Sequence, residues 1–162
     1  MNIRRFQSID ADQIAQLFHD TIRTVNLGDY TEEQVKVWAP DDIHFRDWNA
    51  KCSSKFTLVA ESEGIIAGFA QLDFDGHIDC FYCHKDFQGQ GVGKLLYSGL
   101  ENEAQKQGLN KLYVEVSITA KPFFLKMGFT SKKKQEIIVR GVCLINFRME
   151  KIIARQASYH SV

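Results

Sequence analysis

The segment Gln88-Gly89-Gln90-Gly91-Val92-Gly93 decides how this chain is read, because of what lies on either side of it. Before it, Ile78 to His84 is a strand-like stretch rich in aromatic and β-branched residues. After it, Val92, Leu95, Leu96, Leu100 and Ala104 recur at helical spacing until Gly108, which suits a C-cap. A strand that breaks into glycines and opens a helix aims several backbone N–H groups at one spot. Those donors and the helix dipole favour an anion there. With no Cβ in the way, a phosphate approaches the backbone closely. The ligand this predicts is a pyrophosphate.

Three phosphate-loop patterns compete. A P-loop ends in Gly-Lys-Ser/Thr, whereas Gly93-Lys94 is followed here by Leu95, and Gly89 sits one residue too close. The magnesium-binding hydroxyl is missing. A dinucleotide fingerprint needs G-x-G-x-x-G early in a βαβ unit, and this G-x-G-x-G lies mid-chain. The third pattern, Gln/Arg-x-x-Gly-x-Gly/Ala, fits as Gln88-x-x-Gly91-x-Gly93.

That third pattern is the acetyl-CoA loop of the GNAT acetyltransferase superfamily, which the chain resembles. His77 to Phe87 resembles the family's fourth strand and its run into the loop, and Lys111 to Val116 its fifth strand. Ala120-Lys121-Pro122-Phe123-Phe124-Leu125-Lys126-Met127-Gly128-Phe129 resembles the helix and turn that follow. Two motifs in the right order are more specific than either alone. The N-terminal third matches loosely, as suits a segment that shapes the acceptor site.

With 162 residues, 44% of them hydrophobic, the chain is long enough for one domain with a sizeable core. Lysine plus arginine and aspartate plus glutamate number 20 each. That balance gives no electrostatic case for nucleic acid or an anionic membrane. No apolar run approaches membrane-spanning length, and Met1-Asn2-Ile3-Arg4-Arg5 is no signal peptide, so a cytoplasmic protein is expected. Cys80-Phe81-Tyr82-Cys83 is formally C-x-x-C, but residues three apart on a strand face opposite ways. Neither a metal nor a disulfide is expected.

Ile3 to Phe6 reads as a first strand. Asp10 with Gln13, and Thr31 with Gln34, carry capping-box signatures for two helices. A short helix is expected through Phe45 and Trp48. Hairpins are expected about Glu63-Gly64, Asp75-Gly76 and Arg140-Gly141, the last joining strands Gln135 to Val139 and Val142 to Met149. Lys132-Lys133-Lys134 reads as a solvated turn, and residues 154–162 as a loose tail after a single domain over 1–153. The order gives an α+β fold, a mixed and mostly antiparallel sheet flanked by helices. The resemblance adds that the fourth and fifth strands splay apart.

The resemblance implies an acetyl-CoA-dependent N-acetyltransferase, with no metal, acting on a small-molecule or protein amine; a homodimer is left open. The backbone of Phe81 and Cys83 would grip the pantetheine arm beside Tyr82. The amides of Gln88, Gly89, Gln90, Gly91, Val92, Gly93 and Lys94 would grip the pyrophosphate. Phe124 stands where the family usually has a tyrosine that protonates the departing sulfur, and a phenyl ring cannot donate. Ser117 is the substitute at the splayed end, or a cap for the next helix. His77 and Asp79 share a strand face by period two and are the candidate bases, with Glu115 a third carboxylate. Tyr30, Trp38 and Trp48 are candidate walls of the acceptor pocket. The competing function is a CoA-binding module without turnover, made plausible by Phe124.

Overall fold

The computed structural model describes residues 1–154, so the expected tail at 154–162 lies almost entirely outside the described residues. Seven strands form one sheet in the order β1-β2-β3-β4-β5-β7-β6. They are β1 (Asn2–Arg5), β2 (Phe56–Ser62), β3 (Ile65–Leu72), β4 (His77–Cys83), β5 (Lys111–Ser117), β6 (Thr130–Val139) and β7 (Val142–Ile152). Neighbours run antiparallel except β4 and β5, which are parallel. The helices are α1 (Ala11–Thr24), α2 (Glu32–Trp38), α3 (Trp48–Ser53), α4 (Val92–Lys106) and α5 (Lys121–Lys126). None is long and apolar enough to cross a membrane.

Each sheet face has its own core. On one, Leu96, Leu100 and Ala104 of α4 and Phe124 of α5 pack on Leu72, Ile78, Leu112 and Met149. On the other, Ile14, Leu17, Phe18 and Ile22 of α1 join Val35, Trp48, Phe69 and Cys80. The α1 stripe at helical spacing is what commits that helix to the sheet. Burying it removes apolar area from water at about 25 cal/mol per Å².

Two features of β4 prepare the site. Its pairing with β5 runs only through His77↔Tyr113 and Ile78↔Val114, so the two strands part beyond Ile78. Its ladder with β3 slips between Ala70↔Phe81 and Leu72↔Ile78. Asp79 and Cys80 therefore share the place opposite Gln71, a bulge that re-aims side chains. Ile78 and Phe81 consequently face the α4 core, while Cys80 and Tyr82 face the α1 core. Cys83 packs on the α4 side, so the two cysteines of the C-x-x-C do point apart.

The two hairpin turns at Glu63-Gly64 and Arg140-Gly141 have positive φ at both residues, as a two-residue loop between twisted strands requires. Gly76 is required for another reason: a Cβ there would stand 2.4 Å from the Lys111 carbonyl oxygen. The Thr31–Gln34 capping box forms, the hydroxyl accepting from the Gln34 N–H and the Gln34 side chain accepting from the Thr31 N–H.

Three expectations need correction. Gln13 does not close a box on Asp10; it bonds Gly64 and Ile66 of the next hairpin, and Asp10 pairs with Arg4. The third helix starts at Trp48, capped by Asp47, and excludes Phe45. Lys132-Lys133-Lys134 is no turn but part of β6, an exposed edge strand. Lysines on an edge discourage pairing with another chain, and their polarity masked the strand.

Candidate active site

The loop after β4 forms as its glycines suggest. A turn of 3-10 helix, Lys85–Phe87, leads into it, and α4 opens at Val92 with Gly91 as its N-cap at φ 82°. That left-handed conformation suits glycine. A Cβ on Gly89 or Gly91 would meet nothing of the protein within 4 Å. The room at these glycines is open to a ligand, so a pyrophosphate fits the loop. Gln88 is exposed and folds back on the end of β4, its amide donating to the Cys83 carbonyl at 2.9 Å.

A cavity of about 260 Å³ extends from this loop along β4. It is lined by Phe81, Tyr82, Cys83, Gln88, Gly89, Gly91, Val92, Gly93 and Lys94, so every loop residue singled out in the sequence borders it except Gln90. Gln90 instead donates to the Asp86 carbonyl. Thr21, Asn26, Thr119 and Phe123 are also in the wall. Thr21 donates to the Cys83 carbonyl at 2.9 Å. Its signal was there to be read: a hydroxyl residue within the apolar stripe of α1. The Thr119 hydroxyl is buried and has no partner among the described residues. An orphan polar atom in a cleft suits an arm rich in amides.

A second cavity of about 200 Å³ adjoins the first, lined from both β4 and β5 where the strands part. Asp79, Glu115, Asn146, Tyr30 and Trp38 line it, with Phe124 and several aliphatic side chains. Phe124 borders this cavity and not the loop cavity; its neighbour Phe123 borders the latter. Trp48 borders neither and is 2% exposed, packed on Phe18 and Phe69. The two cavities share Phe81, Tyr82, Ser117 and Ala120, where they meet.

Beside that junction runs a line of alternating charge. Lys51 and Lys55 lie 2.9 and 2.7 Å from Asp79, and Lys55 also reaches Asp73 at 2.8 Å. Asp73 holds Nδ1 of His77 at 3.1 Å, and Nε2 of His77 lies 2.5 Å from Glu115. Burial would raise the Asp79 carboxyl, but Lys55 and Lys51 outweigh it and hold it at about 2. Asp79 is thus a fixed anion with little basicity. Burial would depress His77, yet Glu115 and Asp73 prevail and its pKa is raised. His77 is half-buried behind Glu115 and does not itself line the cavity; Glu115 does.

Ser117 accepts the Ala120 N–H at 3.0 Å and so caps the turn into α5, leaving its own proton without an acceptor among the described residues. The Tyr30 hydroxyl accepts from the Ile118 N–H and donates to the Ile145 carbonyl. Neither Asn146 nor Thr21 was singled out in the sequence. Asn146 stands beside Ser117 in the β5–β7 register, which no local pattern reveals. Among the described residues, no group of three or more His, Cys, Asp and Glu is placed to hold a metal ion.

A mixed sheet whose fourth and fifth strands part above a glycine-opened helix defines the GNAT fold class. The family model described as Acetyltransferase (GNAT) domain matches residues 26–151, and the chain belongs to that family, whose members transfer acetyl groups from acetyl-CoA. The chain is 34% identical to a GCN5-related N-acetyltransferase structure from Rhodopseudomonas palustris, at TM-score 0.88 and covering 94% of this chain and 95% of that one. It is 28% identical to the uncharacterized N-acetyltransferase YafP of Escherichia coli (strain K12), over 92% of this chain and 94% of YafP. A PaiA N-acetyltransferase from Thermoplasma acidophilum, solved in complex with coenzyme A, shares the fold at TM-score 0.73 with 18% identity, covering 93% and 98%.

Proposed function

We propose that this enzyme transfers the acetyl group of acetyl-CoA to a primary amine of a small molecule or protein by direct attack in a ternary complex. The observation that carries the proposal is the meeting of the two cavities at Phe81, Tyr82, Ser117 and Ala120. Acetyl-CoA enters along the loop cavity, its pyrophosphate at the loop amides and its arm against the unpaired edge of β4. The thioester then lies at the junction, within reach of an amine in the second cavity. Bringing two reactants to one point in the right orientation supplies much of the rate.

The ammonium proton passes to Glu115, with His77 behind it, because that carboxylate lines the acceptor cavity. Asp79 positions; with a pKa of about 2 it takes no proton at neutral pH. The amine nitrogen bonds to the carbonyl carbon, the carbon–sulfur bond breaks, and CoA leaves as thiolate. Ser117 offers a hydrogen bond to the departing sulfur, which solvent then protonates; a thiol with a pKa near 8.5 needs little more. Thiol release from acetyl-CoA with a panel of amines, and the mass of the products, tests the reading. A second reading, CoA binding without turnover, is favoured by Phe124, which puts no hydroxyl where the family commonly has one. Tight CoA binding with no acetylated product from any amine would select it.

A further inference from the structure

We infer that the acceptor is a small primary amine with an apolar body and no carboxylate, an alkyl- or aralkylamine and not an amino acid or a polyamine. This rests on the reading that the second cavity holds the acceptor. The cavity walls are apolar over Trp38, Phe124, Ile137, Val139 and Leu144. Its charged lining residues are Asp79 and Glu115, and among the described residues no Lys, Arg or His lines it. The cations that engage those two carboxylates stand behind them, outside the lining. Lys51 and Lys55 engage Asp79, while His77 engages Glu115, with Arg148 4.0 Å away.

That arrangement selects in two directions. An acceptor carboxylate would lose its water and find two carboxylates and no cation, so α-amino acids and acidic peptide ends are rejected. A polycation gains little either, because Asp79 and Glu115 already have partners. What remains favourable is one amino group at the polar end and an apolar body against the aromatic and aliphatic walls. Asn146, opposite Ser117, adds a neutral polar residue to the lining, and its buried Oδ1 has no partner among the described residues. At about 200 Å³ the cavity is smaller than the ~300–1,000 Å³ usual for drug-sized ligands, so the body is small.

The test compares matched pairs: phenethylamine with phenylalanine, and isoamylamine with leucine, with spermidine as the polycation. Two readouts are taken, kcat/KM from thiol release and calorimetric binding of each acceptor to the protein saturated with CoA. Each amine is expected to exceed its amino acid by at least about tenfold in both, and spermidine to be no better than isoamylamine. Ile137→Arg places a cation on a partly exposed wall and is expected to narrow the phenethylamine-to-phenylalanine ratio about tenfold. An amino acid or spermidine matching the simple amines overturns the inference, as does failure of every amine to bind the CoA-loaded protein. Failure of CoA itself to bind when it is titrated into the protein to saturate it overturns the proposed function instead.

Discussion

The hydroxyl of Tyr30 accepts a hydrogen bond from the Ile118 N–H at 2.9 Å and donates one to the Ile145 carbonyl at 2.6 Å. One phenol thereby ties the segment after α1 to the end of β5 and to β7, in the wall of the second cavity. Its ring packs edge-on against Trp38, which lines the same cavity. Tyr30→Phe keeps the ring but leaves a backbone donor and acceptor without their partner. The expected cost is about 1–3 kcal/mol in denaturant unfolding. KM for the amine should rise more than the Kd for CoA, because the bond braces the acceptor side. An equal effect on both would mean that Tyr30 acts through stability alone.

Gly91 caps α4 at φ 82° with open space where a Cβ would be. Gly91→Val strains that conformation and puts a branched side chain into the phosphate cradle. CoA affinity should fall about a hundredfold or more, an expectation consistent with the loss of several charge-assisted bonds. Circular dichroism identifies folded protein and calorimetry reads the affinity. A folded variant with unchanged affinity places the pyrophosphate elsewhere. No dependence on Mg²⁺ is expected, since Leu95 stands where a P-loop has its hydroxyl.

The loop was legible in the sequence because it is local: a strand, glycines and a helix follow one another within one stretch of chain. The Thr31–Gln34 box and the Arg140-Gly141 turn were legible for the same reason. Asn146 was not, since only β5–β7 pairing brings it beside Ser117. The salt-bridge line through Asp79 was not, since Lys51 and Lys55 come from the α3 region. His77 and Asp79 were read together on one face, yet their partners decide what each can do, and those lie on other elements. Trp48 read as a candidate wall because aromatic type does not reveal depth. The lysines of β6 hid a strand whose outer edge faces water.

Phe124 is 1% exposed and packs edge-on against Phe81, Phe123 and Phe129. It is a packing residue beside the junction, so Phe124→Tyr should change turnover by less than about tenfold. The added hydroxyl must sit among aromatic rings or enter the second cavity that Phe124 borders, so stability should fall by no more than about 1–3 kcal/mol. Steady-state rates and a melting curve decide the matter. A rise in turnover beyond tenfold would instead mark Phe124 as the lesion of a degenerate site.

The last prediction concerns the pair of His77 and Glu115. Folding raises the His77 pKa, because Glu115 and Asp73 outweigh burial. Its protonated form therefore stabilises the fold fully below about pH 6.5, the unperturbed value, and that stabilisation disappears as pH rises through the raised value. Glu115→Gln removes one carboxylate, so its destabilising effect should be largest near about pH 6 and shrink toward about pH 9. The same pair predicts the rate profile. Turnover over acceptor affinity should rise with pH along a limb above about 6.5, and Glu115→Gln should move that limb down. His77→Ala should abolish the limb, whereas Asp79→Asn should lower the whole curve and move the limb down only slightly, because the Asp79 charge is a lesser contributor than Glu115 and Asp73 to the raised His77 pKa. Asp79 is already charged across this range, held at about 2 by Lys55 and Lys51 against the effect of burial. A slow acceptor keeps chemistry rate-limiting. If His77→Ala and Glu115→Gln both retain the wild-type limb and the wild-type rate, the ammonium proton leaves directly to solvent and the pair serves only the fold.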